Sequence, residues 1–273
     1  ELNRAKHAKK TFAAAWESQF GSWEYVAVMN QEKGTEVVVD WEDDTSVRMS
    51  AAQLYELVFE GNNKWMLSAN GTIFTYEYEA IIPGLLKRWY EERQEMQRKM
   101  RECGDNEIER EYWDKRQLVK KINLNSLYGA ILNPGCRFFD IRIGQSVTLT
   151  GRCITKHMAS KVNEIVTGEY DHKGESIVYG DTDSVYFSAY KTLQKEIKDG
   201  LIPWTKDSVV GLYDKISEEV NSSFKSFMTK AFHTPATRGE VIAAGRELVA
   251  SKGLFITKKR YAVLYYDKEG KRT

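Results

Sequence analysis

The sequence predicts an α+β fold in which antiparallel strands and helices accompany a projecting pair of helices. Two long stretches rich in good helix formers, Leu85 to Glu102 and Glu107 to about Leu132, are separated by a break at Gly104. β-branched and aromatic runs, such as the one from Ser176 to Ser188, are typical of strands joined by a tight turn. The chain has no internal repeat and no low-complexity segment, so we expect a mixed globular fold.

Length and composition exclude several classes of protein. The 273 residues, 42% hydrophobic and 29% charged, are enough for a buried core and for one or two domains. A formal net charge of +1 excludes a wholly basic nucleic-acid-binding chain. No apolar run approaches the roughly 18 residues of a membrane span, and the first residues do not resemble a signal peptide. The 3 cysteines are widely spaced, which predicts reduced thiols in an intracellular protein.

Charge is segregated along the chain. Glu24 to Glu60 contains 9 acidic and 2 basic residues, whereas Arg246 to Thr273 contains 8 basic and 3 acidic residues. A polyanion would be repelled by the first segment and attracted by the second. Two ordinary solvated faces remain an alternative interpretation.

The elements are predicted in chain order from local signals. Residues 20–80 are expected to form short strands and turns, with one helix that begins at an Ser50 N-cap and reaches Phe59. Pro83 lies just ahead of the first long helix. From Leu85 to Lys121, 20 of 37 residues are charged, which favours an antiparallel helix pair, although a purely solvent-bridging hairpin would look the same. The later helices and strands are expected at Ser146 to Val166, Val209 to Lys230, Leu254 to Thr257 and Tyr261 to Tyr266.

The sharpest chemical signal is the Gly-Asp-Thr-Asp core of the run from Ile177 to Phe187. On an extended strand, residues i and i+2 face the same side, so Asp181 and Asp183 would present two carboxylates together. Adjacent carboxylates repel each other unless a cation neutralises them, and oxygen ligands suit Mg²⁺. An EF-hand is excluded because Val185 and Tyr186 stand where that loop needs an oxygen ligand and a glycine. A simple Asp-Gly turn remains an alternative.

Two further motifs combine cations with aromatic side chains. Lys121, Asn125 and Tyr128 are spaced to share one helix face, which could hold a phosphorylated, base-bearing ligand or could be the polar side of an amphipathic helix. The run Lys258 to Tyr261 suits a phosphate backbone, but a charged edge strand has the same pattern. The sequence contains no P-loop and no GxGxxG, so side chains and metal would have to hold any nucleotide phosphates.

The sequence closely resembles the palm and fingers of family B DNA polymerases, and within them the T-even phage branch. The resemblance is carried by three motifs in this order: Asn-Ser-Leu-Tyr-Gly, Tyr-Gly-Asp-Thr-Asp-Ser and Lys-Lys-Arg-Tyr. The resemblance runs from about Asn70 to Thr273. It implies a palm with an antiparallel sheet plus helices, and a projecting two-helix fingers hairpin. The implied segments are a palm-associated segment at 1–82, fingers at 83–132 and palm at 133–273, with the catalytic hairpin at 176–188.

The resemblance also implies roles for individual residues. Asp183 and Asp181 match the catalytic, metal-binding carboxylates, and Asp183 is the more secure ligand. The nucleotide-binding positions, of which the last two pack against the nascent base pair, are Arg93, Lys121, Asn125, Tyr128 and Gly129. The DNA-binding positions, which include a palm carboxylate near the primer terminus at 240, are Thr182, Glu240, Lys258, Lys259, Arg260 and Tyr261.

Departures from the family pattern are informative. The first metal-binding motif, an Asp shortly before Ser-Leu-Tyr-Pro-Ser, is absent from this sequence. We therefore expect a piece of a longer polypeptide that begins in mid-helix at Glu1, ends in mid-sheet at Thr273, and lacks the exonuclease domain and the thumb. Gln97 stands where the family commonly places a second cation, which would weaken the contact with the triphosphate unless Arg98 substitutes.

The resemblance implies a fragment of a replicative DNA polymerase that performs template-directed nucleotidyl transfer with two Mg²⁺ ions. Its implied partners are primer–template DNA, a deoxynucleoside triphosphate (dNTP), the missing polymerase segments and, as a candidate, a sliding clamp, in a cytoplasmic setting without a membrane. Two alternatives remain open. One is a chain of a split polymerase that is active only with a partner, and the other is a non-catalytic nucleic-acid-binding module with the same fold.

Overall fold

A computed structural model of the chain describes residues 21–268 and the backbone of residues 271–272. It confirms the α+β class, since long helices alternate with short strands. The helical start expected at Glu1 lies outside the described residues. The chain divides into two compact units, Glu1–Ile73 with Thr148–Thr273, and Phe74–Val147. No helix in the described part of the chain is long and apolar enough to cross a membrane.

The first unit begins with a small helix and strand pairs. Its elements up to residue 75 are α1 (Trp23–Met29), β1 (Glu36–Asp40), β2 (Ser46–Ser50), α2 (Ala51–Tyr55) with a following π turn (Glu56–Glu60), β3 (Trp65–Leu67) and β4 (Ile73–Thr75). The predicted cap is confirmed, because the Ser50 side chain accepts from the Gln53 amide in a reciprocal capping box.

Helix α1 corrects the expectation that residues 20–80 form strands and turns apart from the helix at Ser50. It has only seven residues, too few for a clear helical period, and its β-branched valines favour a strand on sequence alone. Two interactions select the helix instead. The Ser22 side chain caps it by accepting from the Tyr25 amide, and the buried Tyr25 hydroxyl donates to the Ala231 carbonyl at 2.8 Å.

The rest of the first unit packs on two long helices, of which α5 (Ile141–Thr167) starts in the second unit and continues in the first from Thr148. The elements that follow are β5 (Ile177–Asp181), β6 (Ser184–Phe187), α6 (Gln194–Lys198), α7 (Lys206–Phe232), α8 (Ala236–Gly239), β7 (Leu248–Thr257), β8 (Arg260–Lys268) and β9 (Lys271–Arg272). Helix α5 begins at Ile141, ahead of the predicted Ser146, because the Asp140 carboxylate accepts from the Arg142 amide at 2.8 Å. The apolar side of α7 supplies Phe224 and Phe227 to the buried core.

The strands pair antiparallel, as the resemblance implies. Among the described residues they form four small sheets, namely β1–β2, β3–β4, β5–β6 and β7–β8–β9. Short turns make each hairpin pair with its sequence neighbour, and register shifts interrupt the regular pairing in β5–β6 and β7–β8. The last two sheets therefore meet through side chains, not through a shared ladder of backbone bonds.

The second unit contains the predicted helix pair, α3 (Ile81–Glu102) and α4 (Glu107–Ile131). The turn between them has Gly104 at φ +53°, and the Asn106 side chain caps α4. Contacts between the helices pair Arg93 with Gln117 and Lys99 with Trp113, a register that makes the pair antiparallel, as predicted. Helix α3 begins before Leu85 and includes Pro83, because the first turn of a helix tolerates proline.

Candidate active site

The Asp181 to Asp183 segment lies at the tip of the β5–β6 hairpin. Asp181 pairs with Ser184, so Thr182 and Asp183 form a two-residue turn. Thr182 has φ +42°, in the left-handed region, and this bends the chain away from the extended path of β5. The expectation that both carboxylates share one face of an extended strand is therefore wrong: Asp181 ends the strand half-buried, and Asp183 is exposed in the turn.

Three hydroxyl groups fix this turn. The Thr155 side chain on α5 donates to the Thr182 carbonyl at 2.9 Å and also lies 3.1 Å from the Gly151 carbonyl in its own helix. The Thr182 hydroxyl donates to the Asp181 carboxylate, and the Ser184 hydroxyl donates to the Asp181 carbonyl, both at 3.2 Å. The backbone that carries the two carboxylates is thus held by α5 and by hydroxyl groups of the hairpin itself.

The base of the hairpin is anchored by the buried Asn163 of α5. Its side-chain oxygen accepts from the Ser176 amide at 3.1 Å and from the Ser176 hydroxyl at 2.8 Å. Its side-chain nitrogen donates to the Glu169 carbonyl at 2.7 Å. A Cβ at Gly174 would overlap this amide, so the segment that leads into β5 needs glycine there. One polar side chain therefore sets where the hairpin begins.

The cationic run occupies a second hairpin tip in the same unit. Thr257 pairs with Arg260, which leaves Lys258 and Lys259 as the turn between β7 and β8. Lys259 has φ +62°, again left-handed in a residue other than glycine. All three cations from 258 to 260 are exposed. The first half of the predicted motif is therefore a turn, and Arg260 and Tyr261 begin strand β8.

Tyrosines join strands β5 and β6 to the tip region of the β7–β8 hairpin. The Lys259 amide donates to the Tyr179 hydroxyl at 2.9 Å, and the Tyr186 and Tyr261 hydroxyls are 3.0 Å apart. These rings and Phe255 have centroids 5.2 to 6.0 Å from one another. Burial and the bond to Tyr261 raise the pKa of Tyr186 well above its usual value, so this hydroxyl stays protonated at neutral pH.

Glu240 follows α8 and lies apart from these tips in the sequence. Its carboxylate pairs with Lys225 on α7 at 2.5 Å, and both side chains are more than half exposed. An exposed ion pair of this kind contributes little to stability. The pair leaves Glu240 accessible for the primer-terminus role that the resemblance implies.

In the second unit, the predicted nucleotide-binding residues lie along the C-terminal half of α4. Lys121, Asn125 and Gly129 are exposed, and the half-buried Tyr128 donates to the Gly144 carbonyl at 3.4 Å. A Cβ at Gly129 would meet open space, so the surface there is accessible. Within residues 21–268, Lys121 has no ion-pair partner within 4.0 Å. The exposed residues are thus available to a ligand.

Helix α3 contributes two arginines with different surroundings. The Arg93 Nε donates to the Gln117 side chain of α4 at 3.2 Å, which uses one of the five guanidinium donors. Arg98 instead forms ion pairs with Glu95 at 2.6 Å and Glu102 at 2.7 Å on its own helix. Arg98 is therefore engaged locally, which weakens its candidacy as a substitute for the cation missing at Gln97.

The carboxylate hairpin offers two oxygen-bearing side chains to a magnesium ion. Across residues 21–268, no three His, Cys, Asp or Glu side chains form a group that could hold a metal ion. Two carboxylates still fit Mg²⁺, because this ion is commonly bound through one or two carboxylates together with substrate phosphates and water. Asp183 also borders a cavity of about 560 Å³ in the first unit, which leaves space for such oxygens.

Sequence reasoning missed the residues that support the hairpins. Thr155 acts on a residue 27 positions away and Asn163 on residues 6 and 13 positions away, both from within a helix where nothing in their spacing marks them. Tyr179 did carry a signal, since it lies two residues before Asp181 and so shares its face of β5.

Comparisons with known proteins identify the family of the chain. The family model described as DNA polymerase family B matches residues 35–233, which include the carboxylate hairpin and the helix pair. Over 168 residues the chain is 33% identical to a DNA-directed DNA polymerase of Escherichia phage RB69 and 30% identical to that of Enterobacteria phage T4, covering 57% of this chain and 18% of each relative. Over 201 residues it is 28% identical to DNA polymerase 1 of Pyrococcus abyssi, covering 74% of this chain and 21% of the relative. The chain spans about a fifth of the length of these curated relatives, and it belongs to DNA polymerase family B.

Proposed function

We propose that this chain supplies the carboxylate hairpin and the nucleotide-binding helices of an enzyme that performs template-directed deoxynucleotidyl transfer in DNA replication. The observation that carries this proposal is the anchored Asp181-Thr182-Asp183 tip in a chain of this family. Such chemistry depends mainly on positioning and electrostatics, and it needs no protein nucleophile.

Asp183 and Asp181 are the residues that would hold Mg²⁺, with Asp183 as the main ligand because it is exposed in the turn. With two ions bound, the site would stabilise the attacking 3′-oxygen and the leaving oxygen of the α-phosphate. Thr155 and Ser184 keep the carboxylate-bearing backbone in place. Positioning before the reaction lowers the barrier, because no reorganisation is then needed as charge develops.

The helix pair would bind the triphosphate of the incoming nucleotide. Lys121 supplies an exposed ammonium group, Arg93 retains guanidinium donors, and Asn125 adds an amide. Tyr128 and Gly129 would face the nascent base pair. The space beside Gly129 is open, and a side chain at 129 would occupy it. These contacts would select a phosphorylated, base-bearing substrate.

The primer–template duplex would be bound by the cationic hairpin. Lys258, Lys259 and Arg260 are exposed beside Tyr261, a combination that suits a phosphate backbone. Thr182 and Glu240 would lie near the primer terminus. With this function the chain would work in the cytoplasm, that of the host cell if it is viral, with a sliding clamp as a candidate partner.

The activity would require further polymerase segments. The family's first metal-binding motif is absent from this sequence, so one carboxylate of the full site would come from another segment or from a partner chain. This observation keeps a split polymerase as a second candidate.

Steady-state nucleotide incorporation tests the role of the helix pair. In a polymerase that joins this chain to the remaining segments of a relative, Arg93→Ala, Lys121→Ala and Asn125→Ala should each raise the apparent KM for dNTP. Lys121→Ala should have the largest effect, about tenfold, because a charge-assisted phosphate contact is lost. Lys115→Ala is the matched control, since Lys115 is an exposed α4 lysine paired with Glu111. An unchanged KM in all three variants would refute the proposal.

A further inference from the structure

The turn that carries Lys258 and Lys259 is strained and repulsive in isolation. Lys259 has φ +62°, and a left-handed backbone is unfavourable for residues with a side chain. Lys258, Lys259 and Arg260 also place three like charges side by side at an exposed tip. Such a turn keeps one conformation only where its surroundings fix it.

Tyr179 contacts the strained residue directly. Its hydroxyl accepts from the Lys259 amide at 2.9 Å, although the two residues are 80 positions apart. A second bond, 3.0 Å between the Tyr186 and Tyr261 hydroxyls, joins β6 to β8. Both tyrosines of the β5–β6 hairpin thus contact the β7–β8 hairpin at or next to its turn.

These contacts matter because backbone pairing does not join the hairpins. In the described residues, β5–β6 and β7–β8–β9 are separate sheets. The rings of Tyr179, Tyr186, Phe255 and Tyr261 pack together, but ring packing alone permits sliding. The two hydroxyl contacts are directional, so they define a single register between the two hairpins.

We propose that Tyr179 and Tyr186 are positioning residues that hold the Lys258–Arg260 turn in one register against β5 and β6, the strands that carry the Asp181–Asp183 tip, so that its cations meet duplex DNA together. The inference rests on the proposed function, because it takes the cationic turn as the DNA contact. The tyrosines act through the turn and need not touch DNA.

The test uses the 273-residue chain and a primer–template duplex. Tyr179→Phe, Tyr186→Phe and the double variant keep the rings but remove the hydroxyls. Tyr190→Phe is the matched control, since Tyr190 is an exposed tyrosine of the same unit that packs on Trp204. Lys258→Ala/Lys259→Ala tests the DNA contact itself. The measurements are amide hydrogen exchange at residues 257–261, duplex Kd by fluorescence anisotropy over a salt series, and thermal unfolding.

Tyr179→Phe should speed exchange of the Lys259 amide about fivefold, the size of one typical hydrogen bond. The double variant should raise the duplex Kd by about fivefold or more and lower the slope of log K against log salt, because fewer phosphates are met at once. Tyr190→Phe should change none of these quantities. A purely structural role would lower the melting temperature and leave the salt slope unchanged.

Two results would overturn the inference, and they are distinguishable from each other. Unchanged exchange at Lys259, or an unchanged Kd in the double variant while Lys258→Ala/Lys259→Ala weakens binding, would show that the hydroxyls do not position the turn. No effect of Lys258→Ala/Lys259→Ala would instead show that the turn does not bind DNA, and the DNA part of the proposed function would fail as well.

Discussion

Thr182 adopts a backbone conformation that costs a residue with a side chain of the order of 1–3 kcal/mol. This conformation is local, but it moves Asp183 out of β5 and into an exposed turn. Thr155 offsets part of the cost by donating to the Thr182 carbonyl. A hydroxyl 27 positions away in sequence therefore helps to place the carboxylate.

Thr155→Val should loosen this turn, because valine keeps the shape of threonine but has no hydroxyl donor. Amide exchange at residues 182–184 should rise about fivefold, consistent with one lost hydrogen bond. Thr155→Ser retains the donor and should restore the exchange rate. Equal exchange in the valine and serine variants would show that the bond does not hold the turn.

His157 is a second residue whose effect depends on its surroundings. It is fully buried on α5, stacked on Phe227, with its ring nitrogens 2.8 Å from the Tyr170 hydroxyl and 2.9 Å from the Ser223 hydroxyl. Burial, with a smaller contribution from the charge of Lys161, lowers the pKa of His157 to about 3. The imidazole is therefore neutral in the folded chain at physiological pH.

The shift predicts a stability loss in acid. Above an unfolded-state pKa near 6.5 both states carry a neutral ring, and below it only the unfolded state gains a proton, so stability falls from about pH 6.5 towards pH 3. Between pH 7 and pH 5 this residue should account for about 2 kcal/mol. Urea unfolding at both pH values should show that the free energy of unfolding changes by about 2 kcal/mol less in His157→Gln than in the wild type. Equal dependence in wild type and variant would contradict the assignment.

At the scale of elements, the β5–β6 hairpin depends on the segment that precedes it. Asn163 makes three hydrogen bonds inside the protein, and Gly174 leaves the room its amide needs. A hairpin of two strands is marginal by itself, so this anchor and the packing of Phe187 on Tyr213 are needed to keep it folded.

Gly174→Ala should displace the Asn163 amide and destabilise the chain by about 3 kcal/mol, since overpacking and lost buried hydrogen bonds act together. Urea unfolding measures the change. Gly211→Ala is the control, because a Cβ at Gly211 of α7 meets open space and alanine favours helix. If both variants were equally stable, the proposed role of Gly174 would be wrong.

The sequence predicts elements where the local signal is strong. Charge density and the Gly104 break indicate α3 and α4 almost to their ends, and Ser50 is correctly identified as a cap. Helix α1 is missed because its stability comes from burying Tyr25 against a segment 206 positions away. The hairpin around Asp183 is predicted correctly, but the facing of its two carboxylates is not, because period-2 alternation assumes an extended backbone, and Thr182 is not extended.

For the molecule as a whole, charge is arranged along the chain in a way that suits the proposed DNA contact. The acidic segment includes the exposed β1–β2 turn, whereas the cationic run lies at the β7–β8 tip. Net charge alone conceals this asymmetry, which local counts reveal. Binding through the cationic tip should weaken steeply with salt, because each phosphate contact releases counterions.

The central proposal is that the Asp181–Asp183 tip forms part of the site of an enzyme that performs deoxynucleotidyl transfer, and primer extension tests it most directly. The 273-residue chain alone should not extend a primer, because the family's first metal-binding carboxylate is absent from its sequence. Joined to the remaining segments of a family relative, the wild-type chain should incorporate dNTP in Mg²⁺. Asp183→Ala should reduce incorporation on the order of 10³-fold with duplex binding retained, and Asp181→Ala should be milder. Near-normal incorporation by Asp183→Ala in the active assembly would contradict the account.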